Sequence, residues 1–262
     1  MEPVSGARTF TAVAADYDAF MGRYSRPLAP LFADFASVRP GIRALDVGCG
    51  PGALTTELVR RLGAEAVAAC DPAPPFVVAC RNRLPGVDVR PGSAEQVPFD
   101  DPFDVVTAQL VLQFVSDPAR VASEFIRVTR PGGVVATCVW DYSEGTRLLR
   151  AFREAALALD ANAPEELREL RFGREGDLAQ WLEDAGFDDV TETTLAVSAS
   201  YADFDDLWAS LLTGIGPAGA YTVRLPVSRR ETLRAALHDN LGKPSGAFTL
   251  DAVARAGRGR RA

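Results

Sequence analysis

Asp46 and Asp71 each close a short apolar run, and Gly48, Gly50 and Gly52 follow the first of them within six residues. Glycines after a buried strand let the backbone turn tightly and approach a ligand with no Cβ in the way. A helix starting at such a turn aims its free N–H groups at the same point. The arrangement suits a flat or charged small molecule at the carboxyl edge of a sheet. "GCGPGA" (48–53) also satisfies the dinucleotide pattern G-x-G-x-x-G/A, so the turn alone does not choose the ligand. Asp46 narrows the choice, because a carboxylate two residues before the first glycine would repel a pyrophosphate and face a cation better. Asp71, 19 residues after Gly52, can accept both hydroxyls of a ribose. "GSAEQVPF" (92–99) brings Ser93, Ala94 and Glu95, with apolar neighbours, to an adenine edge and its ring faces.

These residues need elements to carry them. "RALDV" (43–47), "EAVAAC" (65–70), "VDVR" (87–90), "FDVVTAQ" (103–109) and "VVATCVW" (134–140) read as strands. "GALTTELVRRL" (52–62) and "PPFVVACRNRL" (74–84) read as helices between them. Asp117 offers an N-cap with Pro118 at the first helical position, Val121, Phe125 and Val128 form the buried face, and "RPGG" (130–133) stops that helix. Near-continuous apolar strands separated by helices imply a parallel sheet covered on both faces. Beyond Trp140, residues 144–184 read as helical and 188–200 as a long strand. Residues 203–241 read as helical, interrupted by "GIGPAGA" (214–220), and 247–256 as a final strand. Trp181 and Phe187 read as core.

The chain has 262 residues, 47% of them apolar, enough for one α/β domain with insertions or for two small domains. Net charge is −7 and the isoelectric point about 4.9, which gives no long-range attraction for nucleic acid phosphates. The basic run "RAGRGRR" (255–261) reads as a solvated, mobile end. No apolar stretch has the length of a membrane span, and the first 20 residues lack the apolar segment of a signal peptide. Cys49, Cys70, Cys80 and Cys138 form no C-x-x-C pair and read as free thiols in a reducing, cytoplasmic setting. A single histidine, His238, leaves no His-rich metal site, and no metal is expected.

In their order and spacing, "LDVGCGPG", "CDPA", "GSAEQVPF", "FDVVTAQLVLQFV" and "VTRPGGVV" resemble the successive motifs of class I S-adenosylmethionine-dependent methyltransferases, in the broad group similar to ubiquinone-biosynthesis enzymes. The resemblance covers residues 43–140. It implies a Rossmann-like, doubly wound α/β fold of seven strands, mostly parallel with the last antiparallel, and S-adenosyl-L-methionine as cofactor. It implies cofactor contacts from Asp46, Gly48, Cys49, Gly50 and Gly52 at the first motif and from Asp71 and Pro72 at the second. Ser93, Ala94 and Glu95 fall on the adenine side, and Gln109, within the fourth motif, is a further cofactor contact. "ADYDAFMGRYSRPLA" (15–29) resembles the upstream helix that closes over the cofactor, with Tyr17 and Arg23 placed to reach its methionine end. The whole chain then reads as one methyltransferase domain. Residues 1–40 supply the closing helices, 41–140 the nucleoside-binding core, 141–200 and 247–262 the rest of the sheet, and 201–246 a helical insertion.

A sulfonium-borne methyl needs alignment more than acid–base help, so no triad is required and none is seen. His238 is a candidate base, and Asp141 and Tyr142 follow the fifth strand near the reaction mouth, each with a structural role open to it. The fourth motif reads "TAQL", unlike the pattern used for methylating amino groups on bases, which together with the acidic charge argues against DNA. The insertion carries Phe204, Trp208, Leu211, Leu212 and Tyr221, an apolar lid for a small, partly apolar acceptor or simply packing on the sheet. Two other classes stay open on the residues alone: an NAD-dependent oxidoreductase, and a non-catalytic binder of the same nucleoside.

Overall fold

The computed structural model describes residues 14–141, 145–161, 163 and 171–262. Tyr142 lies outside them. The strands are β1 (Ala44–Val47), β2 (Val67–Asp71), β3 (Asp88–Pro91), β4 (Phe103–Gln109), β5 (Thr129–Trp140), β6 (Phe187–Tyr201) and β7 (Phe248–Arg261). They form one seven-stranded sheet in the order β3-β2-β1-β4-β5-β7-β6. The first five are mutually parallel, and β7 runs antiparallel to both its neighbours. The doubly wound, last-strand-antiparallel sheet implied by the motifs is the one observed.

Alternation along each strand sends side chains to two separate cores. Ala44, Val67, Ala69, Val105 and Cys138 join one, and Leu45, Val47, Ala68, Cys70, Val106 and Ala108 join the other. The same alternation puts Asp46, Asp71 and Gln109 on the first face. Helices α2 (Gly22–Phe35), α3 (Ala53–Leu62), α4 (Pro74–Arg83) and α6 (Arg147–Leu159) contribute to that core. The second face is closed by α5 (Pro118–Val128) and α7 (Asp177–Asp184), with Trp181 and Phe187 buried there as expected. Asp117 caps α5 by accepting from the Arg120 N–H at 3.0 Å. The described N-terminal segment opens with a short helix, α1 (Ala14–Ala19). No described helix is long and apolar enough to cross a membrane. All four cysteines are buried, free thiols.

Three expectations need correction. The "RPGG" segment does not precede the fifth strand. It lies inside β5, where pairing jumps from Phe103–Thr129 to Val105–Val134, and the bulge absorbs the proline and glycines. "GPAGA" starts a helix rather than breaking one. Between α8 (Phe204–Leu212) and α10 (Val227–Asn240) lies α9 (Gly216–Arg224), with Pro217 in its first turn, where a missing N–H costs nothing.

The third correction is the largest. "RAGRGRR" is not a mobile tail but the second half of β7, paired on both sides. Its arginines are held: Arg255 meets Asp141 at 2.9 Å, and Arg258 donates to the Phe35 carbonyl and the Ser37 hydroxyl, both at 2.7 Å. Its glycines admit the neighbouring elements. A Cβ on Gly257 would stand 2.8 Å from Leu178 Cβ on α7. Gly257→Ala is therefore expected to destabilise the protein by roughly 1–3 kcal/mol through overpacking, read as a lower denaturant midpoint. An unchanged midpoint would show that α7 gives way freely.

Candidate functional site

The turn after β1 is built by backbone bonds to the next strand. The N–H groups of Gly48 and Cys49 both donate to the Cys70 carbonyl, at 2.8 and 2.9 Å. The glycines have different tasks. Gly48 (φ +73°) faces Val111, whose Cγ2 would lie 2.5 Å from an added Cβ. It lets the turns after β1 and β4 touch. Gly50 (φ +54°) has nothing within 4 Å of that direction, so its side faces open space that a ligand can fill.

Asp71 ends β2 and grips the turn. Its Oδ2 accepts the Gly50 N–H and its Oδ1 accepts the Ala73 N–H, each at 2.8 Å. Each oxygen keeps a second lone pair for a ligand hydroxyl. Burial pushes the carboxyl up to about 6, against the pull of those two N–H groups. Asp46 is 1% exposed. Its Oδ2 accepts the Thr55 hydroxyl at 2.6 Å, and its Oδ1 has no hydrogen-bond partner among the described residues. Burial pushes Asp46 up to about 7, reinforced by repulsion from Asp71. Gln109 shares this pattern. Its amide donates to the Ser25 carbonyl on α2 at 2.9 Å, while its buried Oε1 has no partner among the described residues.

The adenine-side loop hangs from the same point, since the Gly92 N–H donates to the Asp71 carbonyl at 3.1 Å. Ser93 bridges to Gln96 and Ala94 is buried. Glu95 is half-buried, and its carboxylate accepts the Ser116 N–H at 2.9 Å, bracing the turn beyond β4. Pro72 stands exposed on the rim. Tyr17, on α1, sets its ring edge-on to Phe76 at 5.5 Å and turns its hydroxyl to Ser25, near Asp71 and Asp46. The Cys49 thiol is held well above the ordinary thiol range by its hydrogen bond with Cys80 and by burial, so it is a small residue in the turn and not a nucleophile.

Other candidates are placed elsewhere. Arg23 does not reach this cluster. It donates to both carboxylate oxygens of Asp206 at 2.9 and 2.5 Å and to the Ser200 carbonyl at 2.9 Å, tying α2 to β6 and α8. A carboxylate in the first turn of α8 outcompetes the site for the guanidinium. His238 lies 3.3 Å from the Pro244 carbonyl with its ring against Phe204, and Asp141 pairs with Arg255. Trp208, Phe204, Leu211 and Tyr221 are buried in the larger core, and Leu212 is exposed.

Two partners escaped the sequence reading. Thr55 reads only as a polar member of α3, though nine residues after Asp46 it falls one helical turn inside the same loop. Arg83 reads as an ordinary basic residue at a helix C-terminus.

The two raised carboxyls set a pH dependence. Their folded pKa values exceed that of a free aspartate, so the stability they contribute is present below about pH 4 and is lost as pH rises through 6 to 7. A cationic ligand favours the ionised forms and reverses the preference. Affinity for S-adenosylhomocysteine, whose ammonium is cationic, is expected to rise between about pH 5.5 and 7.5, with proton release on binding. Calorimetry in two buffers of different ionisation enthalpy measures that release. Zero proton release at about pH 6.5 would contradict the charge assignment.

A methyltransferase-domain family model matches residues 45–137. Demethylmenaquinone methyltransferase of Paenarthrobacter aurescens is 31% identical over 212 residues, covering 74% of this chain and 83% of that protein. Nocamycin O-methyltransferase of Saccharothrix syringae is 32% identical over 208 residues, covering 70% and 72%. Among solved structures, that of a type II methyltransferase candidate from Anaeromyxobacter dehalogenans superposes with a TM-score of 0.64 at 22% identity, covering 90% of this chain and 95% of that one. The fold, the ordered motifs and these relatives agree, and they remove the oxidoreductase reading: this chain belongs to the class I S-adenosylmethionine-dependent methyltransferases.

Proposed function

We propose that the cluster around Asp46, Asp71 and Gly50 holds S-adenosylmethionine for methyl transfer to a small, partly apolar acceptor. The observation that carries this reading is the pair of buried acceptors with no partner among the described residues, Asp46 Oδ1 and Gln109 Oε1, on the sheet face that also carries Asp71. An unmet buried acceptor is costly, and an ammonium with three donors meets both. Asp71 takes the ribose hydroxyls, and Ala94 with the backbone of the 92–99 loop lines the adenine. Glu95 acts through Ser116 rather than on the base. When bound, the cofactor supplies a methyl on a sulfonium, an electrophile complete in itself. The chain's task is to align an acceptor behind that methyl for in-line displacement and to keep water out.

Among the described residues His238 and Asp141 are engaged with other partners, and an acceptor that brings an ionised or unprotonated nucleophile needs no base. The insertion of α8 to α10 covers the acceptor side, with buried aromatic residues as its frame. Relatives named demethylmenaquinone methyltransferase and nocamycin O-methyltransferase support a small-molecule acceptor, and the net charge of −7 disfavours nucleic acid. Incubation with methyl-labelled cofactor and a fractionated cell extract tests the reading. Label is expected in solvent-extractable small molecules. Label confined to protein or nucleic acid would overturn it.

A further inference from the structure

We infer that Arg83 is a positioning residue for the cofactor turn, joining that turn to the N-terminal helix that carries Tyr17. The inference rests on the cofactor reading above. The end of α4 presents Cys80, Arg83 and Leu84 toward the turn, at the three- and four-residue spacing of one helix face. Cys80 Sγ and Leu84 Cδ1 lie 3.1 and 3.5 Å from where a Cβ on Gly52 would stand, so this face is the floor under Pro51 and Gly52. Arg83 adds the polar grip. One guanidinium nitrogen donates to the Pro51 carbonyl at 2.7 Å and the other to Asp18 Oδ2 at 2.6 Å. A planar guanidinium can hold two acceptors in different directions at once.

Asp18 follows Tyr17 on α1. That helix has six residues, too few to persist without docking. Its ties to α4 include the Tyr17–Phe76 ring contact and the Asp18–Arg83 pair. The turn is thus held from two sides, by Asp71 through the Gly50 N–H and by Arg83 through the Pro51 carbonyl. The same guanidinium fixes the helix that sets Tyr17 over the pocket. Losing Arg83 removes one tie from the turn and one from the helix at once, and the bound cofactor leaves faster. Arg26 also pairs with Asp18, at 2.6 Å, but its side chain is 54% exposed and no bond joins it to the turn, which makes it the control.

The test is the dissociation rate of S-adenosylhomocysteine from the full chain, with the thermal midpoint of the ligand-free protein recorded alongside. Asp18→Asn is expected to speed release about three- to tenfold and Arg83→Met about ten- to thirtyfold, less than the full strength of one and two charge-assisted bonds because the pair is partly exposed and acts on the cofactor only through the turn and the helix. The double variant should match Arg83→Met alone, because both changes break one network. Salt at about 0.5 M should speed release from the wild type and leave Asp18→Asn unmoved, a response that a merely structural role does not give. Arg26→Met should stay within about twofold. Unchanged release in Arg83→Met, additive effects in the double variant, or Arg26→Met equal to Asp18→Asn would each overturn the inference. If Arg83→Met fails to fold, Asp18→Asn and the salt response decide. A wild type that takes up no S-adenosylhomocysteine would overturn the cofactor reading, and this inference with it.

Discussion

Asp71→Asn is expected to lower S-adenosylhomocysteine affinity by two orders of magnitude or more while the protein stays folded. Charge-assisted hydrogen bonds contribute roughly 1.5–3 kcal/mol each, and two ribose hydroxyls would lose theirs. A second effect adds to the first. Asp71 receives the N–H groups of Gly50 and Ala73, and an amide nitrogen placed at either oxygen position would set donor against donor. The turn must then shift. The fold survives because the residue sits at a strand end and its neutral replacement relieves the burial that raises the carboxyl to about 6. Calorimetric titration of the variant gives the answer. Wild-type affinity would show that the ribose lies elsewhere.

The glycines separate stability from binding. Gly48→Ala places a methyl 2.5 Å from Val111 Cγ2 at a backbone φ of +73°, and both strain and overlap act on the folded state. The expected loss is about 2–5 kcal/mol, partly recovered by adding Val111→Ala, which opens the space. Gly50→Ala meets no atom within 4 Å. It should cost only about 1–2 kcal/mol of stability for its left-handed backbone. Its methyl projects into the proposed ligand space, so cofactor affinity should fall at least tenfold. Denaturant titration and calorimetry on the three variants read the two quantities separately. Equal stability losses for Gly48→Ala and Gly50→Ala would contradict this division.

Much of the fold was legible because its first half obeys simple periodicities. The alternation that makes β1, β2 and β4 apolar on both faces also places Asp46, Asp71 and Gln109 on one face, where α2 and α3 cover them. Legibility failed where tertiary pairing overrides composition. "RAGRGRR" has the make-up of a solvated end, yet it forms an inner strand because each arginine finds an acceptor and each glycine lets α7 or the Phe187 segment approach. The "RPGG" segment carries turn chemistry, and a bulge inside β5 uses it. Arg23 and Arg83 have the same residue type, and only their partners distinguish them. Asp206, 183 residues away, draws Arg23 off, and no local pattern signals a contact at that separation. Asp18 and the Pro51 carbonyl hold Arg83 in place.

The proposed site for an adenosyl amino acid is the turn between Asp46 and Asp71, and direct titration of the purified chain tests it. Calorimetry with S-adenosylhomocysteine, S-adenosylmethionine and NAD should give one-site isotherms for the first two and none for the third. An NAD isotherm with no heat from either adenosyl compound would contradict the account.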